Sequence, residues 1–248
     1  MKKVLLILFL MFLLVGCGKK NIEESVDNKK EDISSSFELK TYKKMNYYLY
    51  TPKNVEDNMS LIVYLHNAPD KKLSLEDFFK TKSFPKYLKE GYYEDKNFKS
   101  FVIIPKIDTK VKSWVDKKKT ILSLIDEVVS EYNIDKNKIS LTGHSIGGEA
   151  TFTFGIESDV FSCLAPLSGK VSVNKKNIDK LKDKKLWVFV GLDDDKQYRD
   201  SSINIVEKLN KINNNARITK YKNSGHFDVP INAYKDMNLI YWLVNCEK

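Results

Sequence analysis

At positions 139–148 the chain reads ISLTGHSIGG, an apolar run that turns through glycines into a helix-forming stretch. Ser145 has glycine two residues to either side, in Gly143-His144-Ser145-Ile146-Gly147. A serine so flanked fits a bend sharp enough that side chains at the flanking positions would collide. The bend joins a strand directly to a helix, and the helix N-terminus it creates offers backbone N–H groups to developing negative charge. A chain containing this element has to supply strands beside it and helices to cover it.

The rest of the sequence supplies both. Segments 37–42 and 46–50 alternate apolar and polar residues, as a half-buried antiparallel pair does. Segments 60–65, 101–104, 139–142, 164–167, 186–190 and 218–221 are short continuous apolar runs, the mark of strands buried on both faces. Helical spacing falls between them. In 120–132, Ile121, Leu124, Ile125, Val128 and Val129 recur at steps of three and four. Segments 150–154, 203–212 and 233–244 are further helices. The alternation predicts an α/β fold: a mostly parallel sheet of eight strands with helices on both faces. Sites in such sheets gather at the carboxyl ends of the strands.

The first 36 residues read differently. Met1-Lys2-Lys3 precedes an unbroken apolar run at 4–15, which is short for a bilayer span and right for a secretory signal. The run ends in Leu14-Val15-Gly16-Cys17, which resembles a bacterial lipobox. That likeness implies cleavage after residue 16 and lipidation of Cys17, with two acyl chains or more for stable anchoring. Residues 17–36 are polar and charged and read as a flexible lipid-bearing tether. The expectation is therefore a signal at 1–16, a tether at 17–36, a single domain at 37–248, and residence on the outer side of a bacterial cell membrane. The net charge is +9, mostly scattered lysine mixed with acids. That pattern suits a solvated face beside an anionic envelope and argues against a nucleic-acid partner. There is no CxxC pair, and no metal or cofactor is expected. Cys163 and Cys246 lie in apolar contexts and read as two buried small hydrophobes rather than a disulfide.

A serine needs a base to become a nucleophile, and the chain has only three histidines. His144 adjoins Ser145 on the bend and reads as packed or bonded locally. His66 ends the run at 60–65. His226 lies in Asn223-Ser224-Gly225-His226-Phe227, after the last strand, and is the expected general base. The base needs a carboxylate, and the strand at 186–190 ends in Gly191-Leu192-Asp193-Asp194-Asp195. Spacing after the glycine favours Asp194, with Asp193 and Asp195 as alternatives. Asp228 is too near His226 in the chain. The expected oxyanion donors are the backbone amides of Ile146 and Ala68, with Asn67 as the alternative to Ala68. His66, Asn67 and Ser168, each at a strand end, are expected to border the substrate. Trp114, in the loop after FVIIP, reads either as a platform for a sugar or aromatic acyl group or as a core anchor. Trp187 and Trp242 read as core. Phe78, Phe79, Phe84, Tyr92 and Tyr93 either line the cleft mouth or pack.

The stretches YLYTPKN, LIVYLHNAP, YNIDKNKISLTGHSIGGEATF, PLSG, VGLDDD and NSGHFDV, in that order, resemble the α/β-hydrolase superfamily. Within it the likeness is to the secreted esterase and predicted-peptidase branch, which includes esterase-D-like and polyhydroxybutyrate-depolymerase-like enzymes. The resemblance covers most of 47–244 and implies acyl transfer through a serine ester followed by hydrolysis. The chain departs from the family at His66-Asn67, where the family usually has His-Gly. Only a short stretch separates the strand at 164–167 from the next, room for one helix and a minimal lid.

These readings converge on a lipid-anchored serine hydrolase acting on small or polysaccharide-linked esters. A peptidase or acyltransferase would use the same residues. A solute-binding lipoprotein, or a hydrolase fold without activity, would leave the bend, the late histidine and the acid turn without purpose. Oligomeric state is open.

Overall fold

The computed structural model describes residues 36–96 and 98–248, which belong to one compact unit. The signal segment, Cys17 and the tether before Ser36 lie outside the described residues.

Eight strands form one sheet: β1 Phe37–Tyr42, β2 Met45–Tyr50, β3 Ser60–Leu65, β4 Ser100–Pro105, β5 Ile139–His144, β6 Cys163–Leu167, β7 Lys185–Gly191 and β8 Ala216–Tyr221. Their order is β1-β2-β4-β3-β5-β6-β7-β8. β1 and β2 join antiparallel at one edge, and the six strands from β4 to β8 are mutually parallel. The residues of β3, β4 and β5 are buried throughout, as continuous apolar runs require. The edges carry charge instead: Glu38 and Lys40 on β1, Arg217 and Lys220 on β8. Charged edges discourage pairing with another sheet.

Seven α-helices cover the sheet: α1 Phe84–Lys89, α2 Lys118–Glu131, α3 Ile146–Glu157, α4 Lys175–Leu181, α5 Lys196–Asn210, α6 Asp228–Ala233 and α7 Met237–Asn245. One face is packed by apolar residues of α2, α3 and α5. The other is packed by α1, α6 and α7. α2 buries the five residues named from its periodicity, and Asn133 ends it in a left-handed conformation at φ 49°. The helix expected at 233–244 is α7, which begins at Met237, and α6 is an additional helix before it. α7 starts afresh because the Asp236 side chain accepts the Asn238 N–H at 2.9 Å. Between β6 and β7 there is one helix, α4, and no larger lid.

A second correction concerns the cysteines. Cys163, at the start of β6, and Cys246, just after α7, form a disulfide with Cα atoms 6.1 Å apart. Both are buried, so the apolar flanks reported burial correctly. What they could not report is that a fold brings together two positions 83 residues apart. Closing a loop of that size stabilises by about 4.5 kcal/mol in the chain-entropy account.

The strand order reverses at β3, which has β4 on one side and β5 on the other. The crevice outside this switch point is where an open α/β sheet binds ligand. The loops that follow β3 and β5 begin at His66 and Ser145.

Candidate active site

Ser145 stands between β5 and α3 with φ 58° and ψ −117°, a strained conformation for a residue with a side chain. The glycines explain how the bend fits. A Cβ on Gly147 would lie 1.9 Å from the Leu65 carbonyl oxygen, and one on Gly143 would lie 2.5 Å from the same atom. The elbow is thus pressed against the end of β3. The Ser145 N–H donates to Leu167 O at 3.0 Å, which ties the elbow to β6 as well. Ile146 is the first residue of α3, so its amide has no intrahelical partner.

His226 is brought to the elbow from the loop after β8. Its ring centroid is 4.8 Å from that of His144. His226 Nδ1 lies 2.9 Å from Asp194 Oδ1 and 3.0 Å from Oδ2. Among the three acids after β7, Asp194 alone is buried, at 5% exposure, while Asp193 and Asp195 are exposed. Asp194 Oδ1 also accepts the Asp195 N–H at 2.7 Å. Burial pushes the Asp194 carboxyl up, but the bond from His226, the nearby Ser168 hydroxyl and the Asp195 amide bring it below the ordinary value. Asp228 has a separate task, accepting the Gly225 N–H at 2.8 Å to close the loop. Among the described residues nothing in the chain bonds to the Ser145 hydroxyl or to His226 Nε2.

His144 is fully buried, and its Nε2 lies 2.8 Å from the His226 carbonyl oxygen. Burial pushes its pKa down to about 3, so the ring is neutral and Nε2–H is the donor. His144 therefore holds the backbone of His226.

The loop after β3 is shaped by Asn67, whose Oδ1 accepts the Asp70 N–H at 3.0 Å. Asn67 is not among the residues with positive φ, so the loop has no need of the glycine that the resemblance led one to expect. The Asn67 and Ala68 amides have no partner within the described residues, so both remain open as donors beside Ile146.

Four residues expected to border the substrate have buried side chains. Trp114 is fully buried and its indole N–H donates to His66 O at 2.9 Å. It is a core anchor. His66 is fully buried with both nitrogens used: Nε2 accepts the Ile107 N–H at 3.2 Å, which leaves Nδ1–H to donate to Asn67 O at 2.7 Å. Burial pushes its pKa down to about 3. Asn67 is 7% exposed with its side-chain oxygen already engaged. Ser168 is fully buried at φ 44°, near the Asp194 carboxylate but outside hydrogen-bond geometry. The physical reason is shared. A strand end at the catalytic edge must still be roofed by packing, and these residues supply the roof. Phe78, Phe79, Phe84 and Tyr93 are packed likewise, and Tyr92 is exposed. Trp187 and Trp242 pack on the core, edge to face at 5.7 Å.

The surface of the site comes from residues that pattern reading passed over. Tyr198 lies against the His226 ring at 4.6 Å. Phe227 contacts both His144 and His226 and is 57% exposed. Glu149 follows Ser145 by one helical turn and lines a cavity of about 500 Å³ with Phe152, Ile156, Lys170, Val171 and Gln197. A signal for Tyr198 and Glu149 did exist: each follows a named residue by four positions at a helix start. Among the described residues, no group of three His, Cys, Asp or Glu is placed to hold a metal ion.

Fold and family together define an α/β-hydrolase. The dienelactone hydrolase family matches residues 84–233, and the chain belongs to it. Solved structures share the fold. A thermostable esterase superposes with a TM-score of 0.75 and 23% identity over 87% of this chain, which spans 64% of that protein's length. S-formylglutathione hydrolase from Staphylococcus aureus, as apoenzyme, gives 0.65 at 20% identity, covering 84% of this chain and 96% of the other. The feruloyl esterase module from Clostridium thermocellum, complexed with sinapinate, gives 0.66 at 13% identity, covering 86% and 88%. No curated protein is similar to this chain in sequence.

Proposed function

We propose that the chain is a lipid-anchored, extracytoplasmic serine esterase working through Ser145, His226 and Asp194. The observation that carries this is His226 Nδ1 held at 2.9 Å by a buried Asp194 beside a serine on a strained elbow. Asp194 fixes the tautomer, so His226 Nε2 is the free base. It takes the Ser145 proton as Oγ attacks the ester carbonyl. The negative charge that forms on the carbonyl oxygen is met by the Ile146 amide and one from the loop after β3, with Ala68 favoured. Protonated His226 then gives its proton to the departing alcohol, leaving an acyl group on Ser145. Water, deprotonated by the same nitrogen, releases the acid and restores the hydroxyl.

Location rests on separate support. The charged start, the apolar run and Cys17 have the order of a lipoprotein signal. The Cys163–Cys246 disulfide suits an oxidising compartment outside the cytoplasm. The domain then hangs from a lipidated Cys17 on the tether.

Hydrolysis of p-nitrophenyl esters of rising chain length by the purified protein tests the chemistry. Turnover that saturates with substrate and disappears in Ser145→Ala is expected. Equal turnover by wild type and variant would overturn the reading. For location, metabolic labelling with a radioactive fatty acid is expected to mark wild type and spare Cys17→Ala.

A further inference from the structure

The cavity that runs along α3 from Glu149 holds a carboxylate that the reaction does not use. Glu149 donates its N–H to Ser145 O at 2.8 Å, which places it one turn, about 6 Å of axial rise, along α3 from the nucleophile. Its side chain is 32% exposed, and its only charged partner among the described residues is Lys170 at 3.9 Å, itself half exposed. No hydrogen bond reaches the Glu149 carboxylate among the described residues, although such a group accepts several. Burial pushes its pKa up, with Lys170 and then His226 opposing. The Tyr198 ring, 4.6 Å from His226, lies close enough for Glu149 to raise its phenol pKa as well, after the larger effect of burial. The cavity also has an apolar part, made by Phe152, Ile156 and Val171.

A two-thirds-buried carboxylate that accepts no hydrogen bond, at one end of a partly apolar cavity, is what a small ammonium group seeks. We propose that Glu149 makes this cavity a cation subsite, so that the preferred substrates are esters bearing an ammonium group a few atoms from the scissile carbonyl. The inference rests on the esterase reading above and narrows its substrate class. The ammonium can belong to the acyl part, as in an aminoacyl ester, or to the alcohol, as in an aminoalkyl ester. The interaction with Glu149 is the same in both.

The test uses two matched pairs. On the acyl side, the p-nitrophenyl ester of alanine is compared with that of propionate. On the alcohol side, 2-aminoethyl acetate is compared with propyl acetate. For each pair the ratio of kcat/KM, ammonium over neutral, is measured in wild type, Glu149→Gln and Lys170→Met. Comparing one ratio across variants cancels the intrinsic reactivity of each ester. The ratio on one arm is expected to fall about tenfold or more in Glu149→Gln, which keeps shape and hydrogen bonding but loses charge. It is expected to rise in Lys170→Met, which removes the competing cation. The arm that responds tells which side of the ester enters the cavity. Ratios unchanged in Glu149→Gln on both arms, with the neutral esters turned over, would overturn this inference and leave the esterase reading standing. Failure of folded wild-type protein to hydrolyse any of the four esters would remove both.

Discussion

Two loops leave the carboxyl edge of the sheet with a histidine each, and they have been put to opposite uses. After β3, His66 is wholly enclosed. Its Nε2 takes the Ile107 amide, its Nδ1–H goes to Asn67 O, and its own carbonyl receives the Trp114 indole. After β8, His226 spends one nitrogen on Asp194 and leaves the other without a partner among the described residues. The same side chain at the same edge is a strut in one loop and, in the proposed mechanism, the base in the other. What separates them is the account of each ring nitrogen, since a histidine with both nitrogens satisfied and no solvent has nothing to offer a substrate. Neighbours reinforce the contrast. Tyr198 and the exposed Phe227 flank His226, whereas Phe78 and Trp114 seal His66 inside.

The comparison can be broken most severely at the chemistry. Ser145→Ala is expected to lower kcat for an activated ester by about 10⁶-fold, and His226→Ala by a similar factor, because nucleophile and base act as one unit. A loss of less than tenfold in His226→Ala would dissolve the distinction between the two loops. Asp194→Asn comes next, at about 10⁴-fold in kcat, since an amide favours the wrong tautomer. Its activity is expected to recover partly as pH rises. Asp193→Asn and Asp195→Asn, at exposed positions, serve as the comparison and stay near wild type.

His66→Ala acts on stability instead. It strands the Ile107 amide and opens a void under Trp114, which costs about 3 kcal/mol. A shift of the urea midpoint with kcat within tenfold of wild type is the expected result. A fall in kcat to the level of His226→Ala would place His66 in the chemistry.

Per pH unit, the smallest effect is a dependence of stability on pH. His66 and His144 ionise ordinarily at 6.5 and are held down to about 3, so the unfolded chain binds protons that the fold refuses. Their contribution is complete above pH 6.5 and is lost as pH falls through that window, at about 1.4 kcal/mol per unit for each. Asp70 runs the other way. Burial raises it from 3.8 to about 6, so between those values the fold holds a proton the unfolded chain has shed. It offsets one histidine there, leaving a net loss of about 1.4 kcal/mol per unit on acidification. Urea unfolding at pH 7, 5.5 and 4.5 checks the sign, and a flat profile would mean that neither histidine is buried neutral.

Much of this arrangement is written locally. Strand runs and helical spacing located all eight strands, with ends that moved by two residues or fewer. The strained elbow at Ser145 and the buried acid at Asp194 were legible because an elbow and a strand-end acid turn are short-range patterns. That His226 is the histidine meeting Asp194 followed by elimination among three histidines. Residues whose role depends on which way a side chain turns were not. Trp114, His66, Asn67 and Ser168 lie at the catalytic edge as expected, yet all four face packing, and position along a strand does not reveal that. The Cys163–Cys246 link depends on β6 meeting the end of α7, a contact with no local signature. Glu149 stood in plain view within GGEATF, but its meaning needed the cavity.

The central claim is that His226, and not the histidine of the other loop, activates Ser145. Labelling of the purified protein by a fluorophosphonate probe tests it directly, with Ser145→Ala, His226→Ala and His66→Ala run beside wild type at matched folded concentrations. Labelling is expected in wild type and His66→Ala and absent from Ser145→Ala and His226→Ala. Wild-type labelling of His226→Ala, or its loss from folded His66→Ala, would contradict the account.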